Sequence, residues 1–241
     1  MPIQPFLAMT GAEMWNLAEI PRESAWMACH FSPYGRGLSN LPRELPPGCL
    51  LIVDDITPIH GHDPEVIAVQ LRERVEALRL SGILLDFQRP GSQETAALVK
   101  ELSGVLPCPV AVSDLYAVDC DCPVFLPPVP PSVPLEEHLS PWTGREVWLD
   151  ISPGGEVITL TEDGARTVAL PFPAPEMQGF AEENLHCHYR IDSGEDAVIF
   201  TLWRTREDLE GLIWEAENLG VANMVGLYQE LSPYDAFQKN L

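Results

Sequence analysis

The chain has 241 residues, enough for one barrel-sized domain or two small ones, and its 46% hydrophobic content is ordinary for a globular protein. Its 14 basic and 36 acidic residues give a net charge of −22, which opposes binding to nucleic-acid phosphates and to anionic membrane surfaces. No run of about 18 apolar residues predicts a transmembrane helix, and residues 1–13 lack the pattern of a secretory signal. We therefore expect a cytoplasmic protein without nucleic-acid or membrane partners.

Short apolar segments separated by turn residues predict a series of strands, after a short helix indicated by the capping pattern at Thr10. The segments cover residues 26–31, 49–53, 83–86, 109–112, 124–126 and 147–151. They are continuous rather than alternating, which is typical of parallel strands covered on both faces. Helices predicted to begin at Asp63 and Ser92 lie between some of these strands, and this order indicates parallel βα units.

The second half of the chain shows three further patterns. The proline-rich residues 126–134 predict an extended loop with little or no helix. Turn sequences at 153–155, 163–164 and 192–194 predict an antiparallel β-meander, which we place as an insertion at about residues 152–196 of a single domain, 1–241. A helix between Thr205 and Gly220 and a strand at 222–228 follow.

Eight strand centres can be counted in this pattern. They are Trp26, Leu50, Ile83, Val110, Val124, Val147, Val198 and Val225. Eight mostly parallel strands with uneven helices predict an α/β fold, an irregular (β/α)8 TIM-like barrel with missing helices and an antiparallel β-meander insertion. The alternative is an open doubly wound sheet joined to a β-meander.

The carboxyl ends of barrel strands meet at one mouth, where such folds place their sites. Carboxylates, amides and aromatic rings at this mouth suit sugar binding and acid–base chemistry, although each acid also suits a turn or a helix cap. The candidate catalytic residues are Asp86, Asp150 and Glu230. The candidate substrate-binding residues are Gln88, Arg89, Tyr34, Asp54, Asp114, Tyr116, Tyr228 and Trp142. We expect the ligand to be a small carbohydrate or another polar small molecule, and we assign no cofactor and no oligomeric state.

The segment at residues 81–88 resembles the D-G-x-D-x-D-x-E motif of chitinase-type (family 18) glycoside hydrolases. Gly82 matches the glycine and Asp86 matches the last aspartate. Ser81 and Leu84 replace the other two aspartates, and Gln88 replaces the catalytic glutamate. In our count the segment is the third strand, whereas the family carries the motif on the fourth.

The resemblance implies a role for each residue at the mouth. The residue matching Asp86 supports the acetamido group of the substrate, which is itself the nucleophile. Asp150 loosely resembles the aspartate of a Tyr-Asp pair on a later strand. Gln88 can hold a sugar by hydrogen bonds, but an amide cannot give a proton to the leaving oxygen. We therefore expect a carbohydrate-binding relative of the hydrolases with weak or absent classical hydrolase activity.

Two other functions remain open. One is a non-catalytic scaffold that binds partners through the proline-rich loop or the meander, and the other is a metal-dependent hydrolase. The histidines that could serve a metal are His60 with His62 and His186 with His188. The six cysteines are expected to be reduced, and Cys120-Asp121-Cys122 lacks the two-residue spacer of a zinc or redox motif.

Overall fold

In the computed structural model, which describes residues 5–59, 61–118, 120–170 and 177–233, eight parallel strands close into a barrel. The strands are β1 (Phe6–Met9), β2 (Ser24–Phe31), β3 (Leu38–Ser39), β4 (Leu50–Asp54), β5 (Gly82–Asp86), β6 (Val110–Ser113), β7 (Val124–Leu126), β8 (Val147–Asp150), β9 (Gly155–Thr161), β10 (Gly164–Leu170), β11 (Phe180–Glu182), β12 (Cys187–Ser193), β13 (Val198–Trp203) and β14 (Asn223–Leu227). The barrel order is β1-β2-β4-β5-β6-β7-β8-β14, and β14 pairs with β1 to close it. The predicted TIM-like barrel is confirmed, and the open-sheet alternative is wrong.

The helices around the barrel are uneven, as the sequence predicted. They are α1 (Gly11–Asn16), α2 (Pro64–Leu78), α3 (Gln93–Val105), α4 (Asp114–Ala117), α5 (Leu135–Leu139), α6 (Arg206–Asn218) and α7 (Tyr228–Leu231), with 3₁₀ turns at Ser140–Trp142 and Glu183–Leu185. The three longest, α2, α3 and α6, begin where Asp63, Ser92 and Thr205 cap the first turn with their side chains. The proline-rich loop after β7 leaves room only for the short α5.

None of the helices in the described part of the chain combines the length and the apolar character that a bilayer crossing needs.

One strand of the predicted barrel was misassigned. Val198 lies in β13, which pairs antiparallel with β9 and β12 outside the barrel. The missing barrel strand is β1, a short apolar run directly before the Thr10 cap. Because β1 comes first, β5 is the fourth barrel strand rather than the third. This is the strand on which the family 18 hydrolases carry their motif, so that difference from the family disappears.

The barrel interior is filled by a cluster of apolar side chains. This interior cluster comprises Ala8, Ala25, Leu50, Ile52, Leu84, Ala111, Phe125, Trp148 and Val225. Trp148, only 1% exposed, is its largest member, and it explains the glycine at the start of β5. A Cβ on Gly82 would lie 2.9 Å from Cη2 of Trp148 and 3.2 Å from the carbonyl oxygen of Pro109. The outward strand faces form a larger core with the helices.

The inserted antiparallel sheet lies between β8 and α6 and has the order β10-β9-β13-β12-β11. It is attached to the barrel by buried polar contacts. Glu156 accepts a hydrogen bond from the backbone N–H of Ser132 at 2.8 Å, and Arg204 donates from Nη1 to the carbonyl of Val129 at 2.7 Å. The acceptor of the first bond belongs to the inserted sheet, and the acceptor of the second belongs to the proline-rich loop. The predicted antiparallel insertion is thus present, and its last strand extends to Trp203.

The expectation that the cysteines are reduced is wrong for one pair, because Cys120 and Cys122 form a disulfide. Cys29, Cys49, Cys108 and Cys187 are free thiols.

Candidate functional site

Three aspartates lie at the carboxyl ends of barrel strands and face the barrel axis. Asp54 ends β4, Asp86 ends β5 and Asp150 ends β8. Each comes two positions after a residue of the interior cluster, so the alternation along a strand turns its side chain to the same inner face. Asp54 and Asp86 are also directly opposite each other in the β4–β5 ladder. We call these three carboxylates the acidic floor of the mouth.

Asp150 is the most perturbed acid of this floor. Burial, followed by the negative charges of Asp86 and Glu230, raises the pKa of Asp150 to about 7, against an opposing hydrogen bond from the backbone of Ile151. A carboxyl group with this pKa is partly protonated at neutral pH. It can therefore donate a proton, which an ordinary aspartate cannot do in that range.

Gln88 lies above the acidic floor and contacts Asp86. Its Nε2 donates a hydrogen bond to Oδ1 of Asp86. Burial is the largest effect on Asp86 and raises its pKa; the bond from Gln88 lowers it, and the charges of Asp54 and Asp55 raise it. The Gln88 side chain is exposed, so it is open to a ligand that enters the mouth. It can offer such a ligand hydrogen bonds but no proton.

Asp55 holds the loop that carries Gln88, a role that the sequence analysis did not assign. It is only 5% exposed. Its Oδ1 accepts from the backbone N–H of Gln88 at 3.0 Å, and its Oδ2 accepts from that of Arg89 at 2.9 Å. The Arg89 guanidinium donates to the carbonyls of Asp55 and Ile56 at 2.7 and 2.6 Å. Arg89 therefore fixes the loop rather than pairing with Asp86. The sequence signal for this role was the pair Asp54-Asp55 at the end of β4.

Asp54 interacts with the loop that follows β4 and with a residue of β2. Its Oδ1 accepts from the backbone N–H of Ile56 at 3.0 Å. Burial raises the pKa of Asp54, whereas the Ile56 bond and the nearby His30 lower it and Asp55 raises it. His30 is opposite Asp54 in the β2–β4 ladder. It is a second mouth residue to which the sequence analysis gave no role.

Glu230 reaches the same region from α7. Its Oε2 accepts a hydrogen bond from Oγ of Ser152 at 2.8 Å, and its charge acts on Asp150. The neighbouring Gln229 donates to Oε1 of Glu13 at 2.8 Å, which connects α7 to α1 across the closing strands of the barrel. The structure thus brings Glu230 and Asp150 together, and Ser152 orients the glutamate.

The remaining predicted residues at the mouth differ in what they contact. Tyr34 is 98% exposed in the loop after β2. Asp114 begins α4, where its Oδ1 accepts from the backbone N–H of Leu115. Tyr116 is buried and donates to the carbonyl of Arg89 at 3.1 Å. Tyr228 is half-buried against the outer core. Tyr116 and Tyr228 therefore pack in the core between the strands and the helices, whereas Tyr34 and Asp114 lie at the rim of the mouth.

Trp142 does not lie at this mouth. It belongs to the 3₁₀ turn that precedes β8, so it is at the amino-terminal end of the barrel, opposite the acidic floor. The guanidinium of Arg145 stacks 5.7 Å from its ring centroid. Trp142 therefore does not line the mouth formed by the strand ends.

The histidines considered as metal ligands have other partners. His186 Nε2 contacts Oε2 of Glu215, and His188 Nδ1 lies 2.8 Å from Oδ2 of Asp208. Both carboxylates belong to α6, so these pairs attach the inserted sheet to that helix. His60 lies outside the described residues. Within the described ranges no three His, Cys, Asp or Glu side chains are grouped as metal ligands.

Comparison with solved structures shows the same barrel in chitinases. A class V chitinase variant from Nicotiana tobaccum in complex with an N-acetylglucosamine tetramer has a TM-score of 0.60 at 11% identity, covering 94% of this chain and 93% of that chain. A family 18 chitinase variant from Cycas revoluta, in complex with (GlcNAc)4, has a TM-score of 0.57 at 11% identity, covering 92% and 94%. The fold is that of the chitinase-type glycoside hydrolases. The resemblance predicted from residues 81–88 is confirmed at the level of the fold.

The spore cortex-lytic enzyme SleL from Bacillus cereus also has this fold, with a TM-score of 0.51 at 8% identity. The match covers 84% of this chain but only 63% of SleL. No protein-family model and no curated protein sequence matches the chain.

Proposed function

We propose that the mouth binds a short oligosaccharide containing N-acetylglucosamine and that classical hydrolysis is weak or absent. The observation that carries this proposal is the arrangement at the end of the fourth barrel strand. There the exposed Gln88 is hydrogen-bonded to Asp86 of the half-buried acidic floor. The charge pattern of the chain, with a net charge of −22, favours a neutral ligand over nucleic acid or an anionic membrane. A cytoplasmic location remains a prediction from the sequence.

The polar groups of the mouth suit an acetamido sugar. Asp86 accepts hydrogen bonds and, with its raised pKa, also donates when protonated, so it can meet either end of an amide. The exposed Gln88 adds one amide donor and one acceptor. Asp55 fixes the backbone of Gln88, and this reduces the entropy lost when a sugar is bound.

We expect weak catalysis because the group at the exposed position of the mouth has no proton to donate. The exposed position that a leaving oxygen would reach carries the Gln88 amide, which has no acidic proton. The proton available near pH 7 is on Asp150, a half-buried residue of the acidic floor. Asp150 and Glu230 can supply acid–base chemistry only to a sugar ring that enters deeply.

The solved chitinases support the same ligand class. Both chitinases described above carry a Glu-to-Gln substitution, and both hold an N-acetylglucosamine tetramer. An amide in place of an acid is therefore compatible with oligosaccharide binding in this fold. In this chain Gln88 stands at the glutamate position of the motif that residues 81–88 resemble.

Titration calorimetry with chitotetraose and with cellotetraose tests this proposal. We expect the N-acetylated oligomer to bind and the glucose oligomer to bind at least about tenfold more weakly, since it lacks the amide. Asp86→Ala should weaken chitotetraose binding by about tenfold or more, as expected for loss of a hydrogen bond to a charged group. Asp163→Asn, an exposed change in the β9–β10 turn, is the matched control. Absence of binding at millimolar ligand by the folded protein would refute the proposal.

A non-catalytic scaffold is the second candidate, because the inserted sheet exposes large apolar side chains. Three of them, Leu160, Phe180 and Ile191, lie on the same face of the sheet and are between 40% and 69% exposed. Exposed apolar patches of this kind are typical of protein contact surfaces. A protein that binds no oligosaccharide but forms a specific complex through this sheet would favour the scaffold.

A further inference from the structure

Three cysteines line one cavity at the amino-terminal end of the barrel, opposite the acidic floor. The cavity has a volume of about 670 Å³ and is open to solvent. Cys108 and Cys122 each precede a proline just before the adjacent strands β6 and β7, and Cys120 lies in the same loop as Cys122. Lys100 and Arg145 also line the cavity. None of these residues belongs to the proposed sugar site.

The disulfide between Cys120 and Cys122 contributes little to the stability of the fold. It joins residues separated by two positions, and a loop of that size scarcely restricts the unfolded chain. The segment is already fixed by Arg145, whose Nη1 donates to the carbonyl of Ala117 at 3.0 Å. Its Nη2 donates to the carbonyls of Cys120 and Cys122 at 2.8 and 2.6 Å. The position of the loop therefore does not depend on the sulfur–sulfur bond.

The reduced pair would fit the same backbone. Sγ of Cys120 lies 3.9 Å from the carbonyl oxygen of Tyr116 and 3.8 Å from that of Ala117, so a thiol there has two acceptors in place. Cys120 is half-buried, whereas Cys122 is only 8% exposed. An incoming nucleophile therefore reaches Cys120 first.

We propose that Cys120 and Cys122 form a reversible redox pair that exchanges with small anionic thiols of the glutathione class. The thiolate of the small molecule attacks Sγ of Cys120, the protein disulfide breaks, and Cys122 leaves as a thiolate that takes a proton from water. A second small thiol attacks the mixed disulfide and releases the small-molecule disulfide. In total, one protein disulfide and two small thiols give two protein thiols and one small-molecule disulfide.

The cavity favours this class of partner. Its volume suits a small molecule. Lys100 and Arg145 provide positive charge in a strongly acidic chain, and this attracts an anionic thiol despite the single carboxylate of Asp121. Cys108 shares the cavity, but burial raises its pKa to about 11, so it stays a protonated thiol. It provides an internal control.

The test is a redox titration of the full chain. The protein is equilibrated with reduced and oxidised glutathione at a series of ratios, quenched with acid, alkylated and digested for mass spectrometry. We expect Cys120 and Cys122 to change together from unlabelled to labelled, and Cys108 to be labelled at every ratio. Cys120→Ser should abolish the paired transition, whereas Cys108→Ser should leave it unchanged.

Two results would overturn the proposal. One is a Cys120–Cys122 pair that is labelled at every ratio and so never forms the disulfide. The other is a pair that stays unlabelled when the folded protein is held with excess reduced glutathione, which would make the bond purely structural. If the positive charge of Lys100 attracts anionic thiols, Lys100→Gln should slow reduction by glutathione about threefold and leave reduction by neutral 2-mercaptoethanol unchanged. An equal effect on both thiols would remove the preference for anions.

Discussion

Replacement of Gln88 by glutamate should create or raise hydrolase activity. The change is nearly isosteric and leaves the backbone bonds from Gln88 and Arg89 to Asp55 in place. The new carboxyl group would lie beside Asp86. The charges of Asp54 and Asp55, which already raise the pKa of Asp86, would also raise the pKa of the new carboxyl group. A protonated acid would then be present at slightly acidic pH, as a leaving group requires.

A positioned general acid contributes about 100-fold to 10,000-fold. Because Gln88 is exposed, we expect the lower end, a rise in kcat/KM of about 100-fold. The assay is release of the fluorescent aglycone from 4-methylumbelliferyl chitooligosaccharides between pH 5 and 7. Gln93→Glu, the same chemical change at an exposed position in the first turn of α3, should have no effect. A Gln88→Glu variant that binds chitotetraose normally without any gain in activity would show that a missing general acid at this position is not what limits hydrolysis.

Three further predictions concern the floor, the interior and the loop. Asp150 has its pKa raised in the folded state, so the folded protein keeps a proton that the unfolded chain releases above pH 4, and stability falls as pH rises toward 7. The rise in the pKa of Asp150 from 3.8 to about 7 corresponds to a loss of up to about 4 kcal/mol in the free energy of unfolding as the pH increases. Urea unfolding should therefore show that the stability of Asp150→Asn relative to the natural protein increases between pH 5 and pH 8. Gly82→Ala forces a Cβ against Trp148 and should lower the free energy of unfolding by about 1–3 kcal/mol. Gly104→Ala, in α3 with nothing within 4 Å, should raise it by up to about 1 kcal/mol in the same assay. Asp55→Ala leaves two backbone N–H groups without their acceptor and should cost about 1–3 kcal/mol per group, with weaker chitotetraose binding in calorimetry.

Each of these has a result that would contradict it. A stability difference between Asp150→Asn and the natural protein that does not change with pH would show that Asp150 titrates normally. Equal stability of the two glycine variants would mean that the barrel interior has room beside Trp148. An Asp55→Ala variant with unchanged sugar affinity would show that the loop fixed by Asp55 does not contribute to sugar binding.

The barrel was predictable because buried parallel strands leave continuous apolar runs, and residues such as Asp63, Ser92 and Thr205 mark where the long helices begin. The miscount had a physical reason. Val198 lies in an equally apolar run of similar length, and pairing partners, which decide between barrel and insertion, are not encoded in local pattern. The apolar run of β1 directly precedes the Thr10 cap, so this part of the sequence was interpreted only as the start of a helix.

The site was predictable in part. Strand ends identified Asp54, Asp86 and Asp150, since the alternation from interior residues fixes which way these acids face. The partners of the supporting residues were not predictable, because they depend on loop conformation. Thus Arg89 and Tyr116 donate hydrogen bonds to loop carbonyls, Asp55 accepts from the backbone of Gln88, and Trp142 lies at the opposite end of the barrel.

We propose that an N-acetylated oligosaccharide binds at the mouth formed by the acidic floor and Gln88. The most direct measurement is a crystal structure of the natural protein soaked with chitotetraose. We expect density for the sugar at the mouth, with its acetamido group in hydrogen-bond contact with Asp86 or Gln88. A fully occupied ligand elsewhere, or a mouth that stays empty at a concentration that saturates binding in solution, would contradict it.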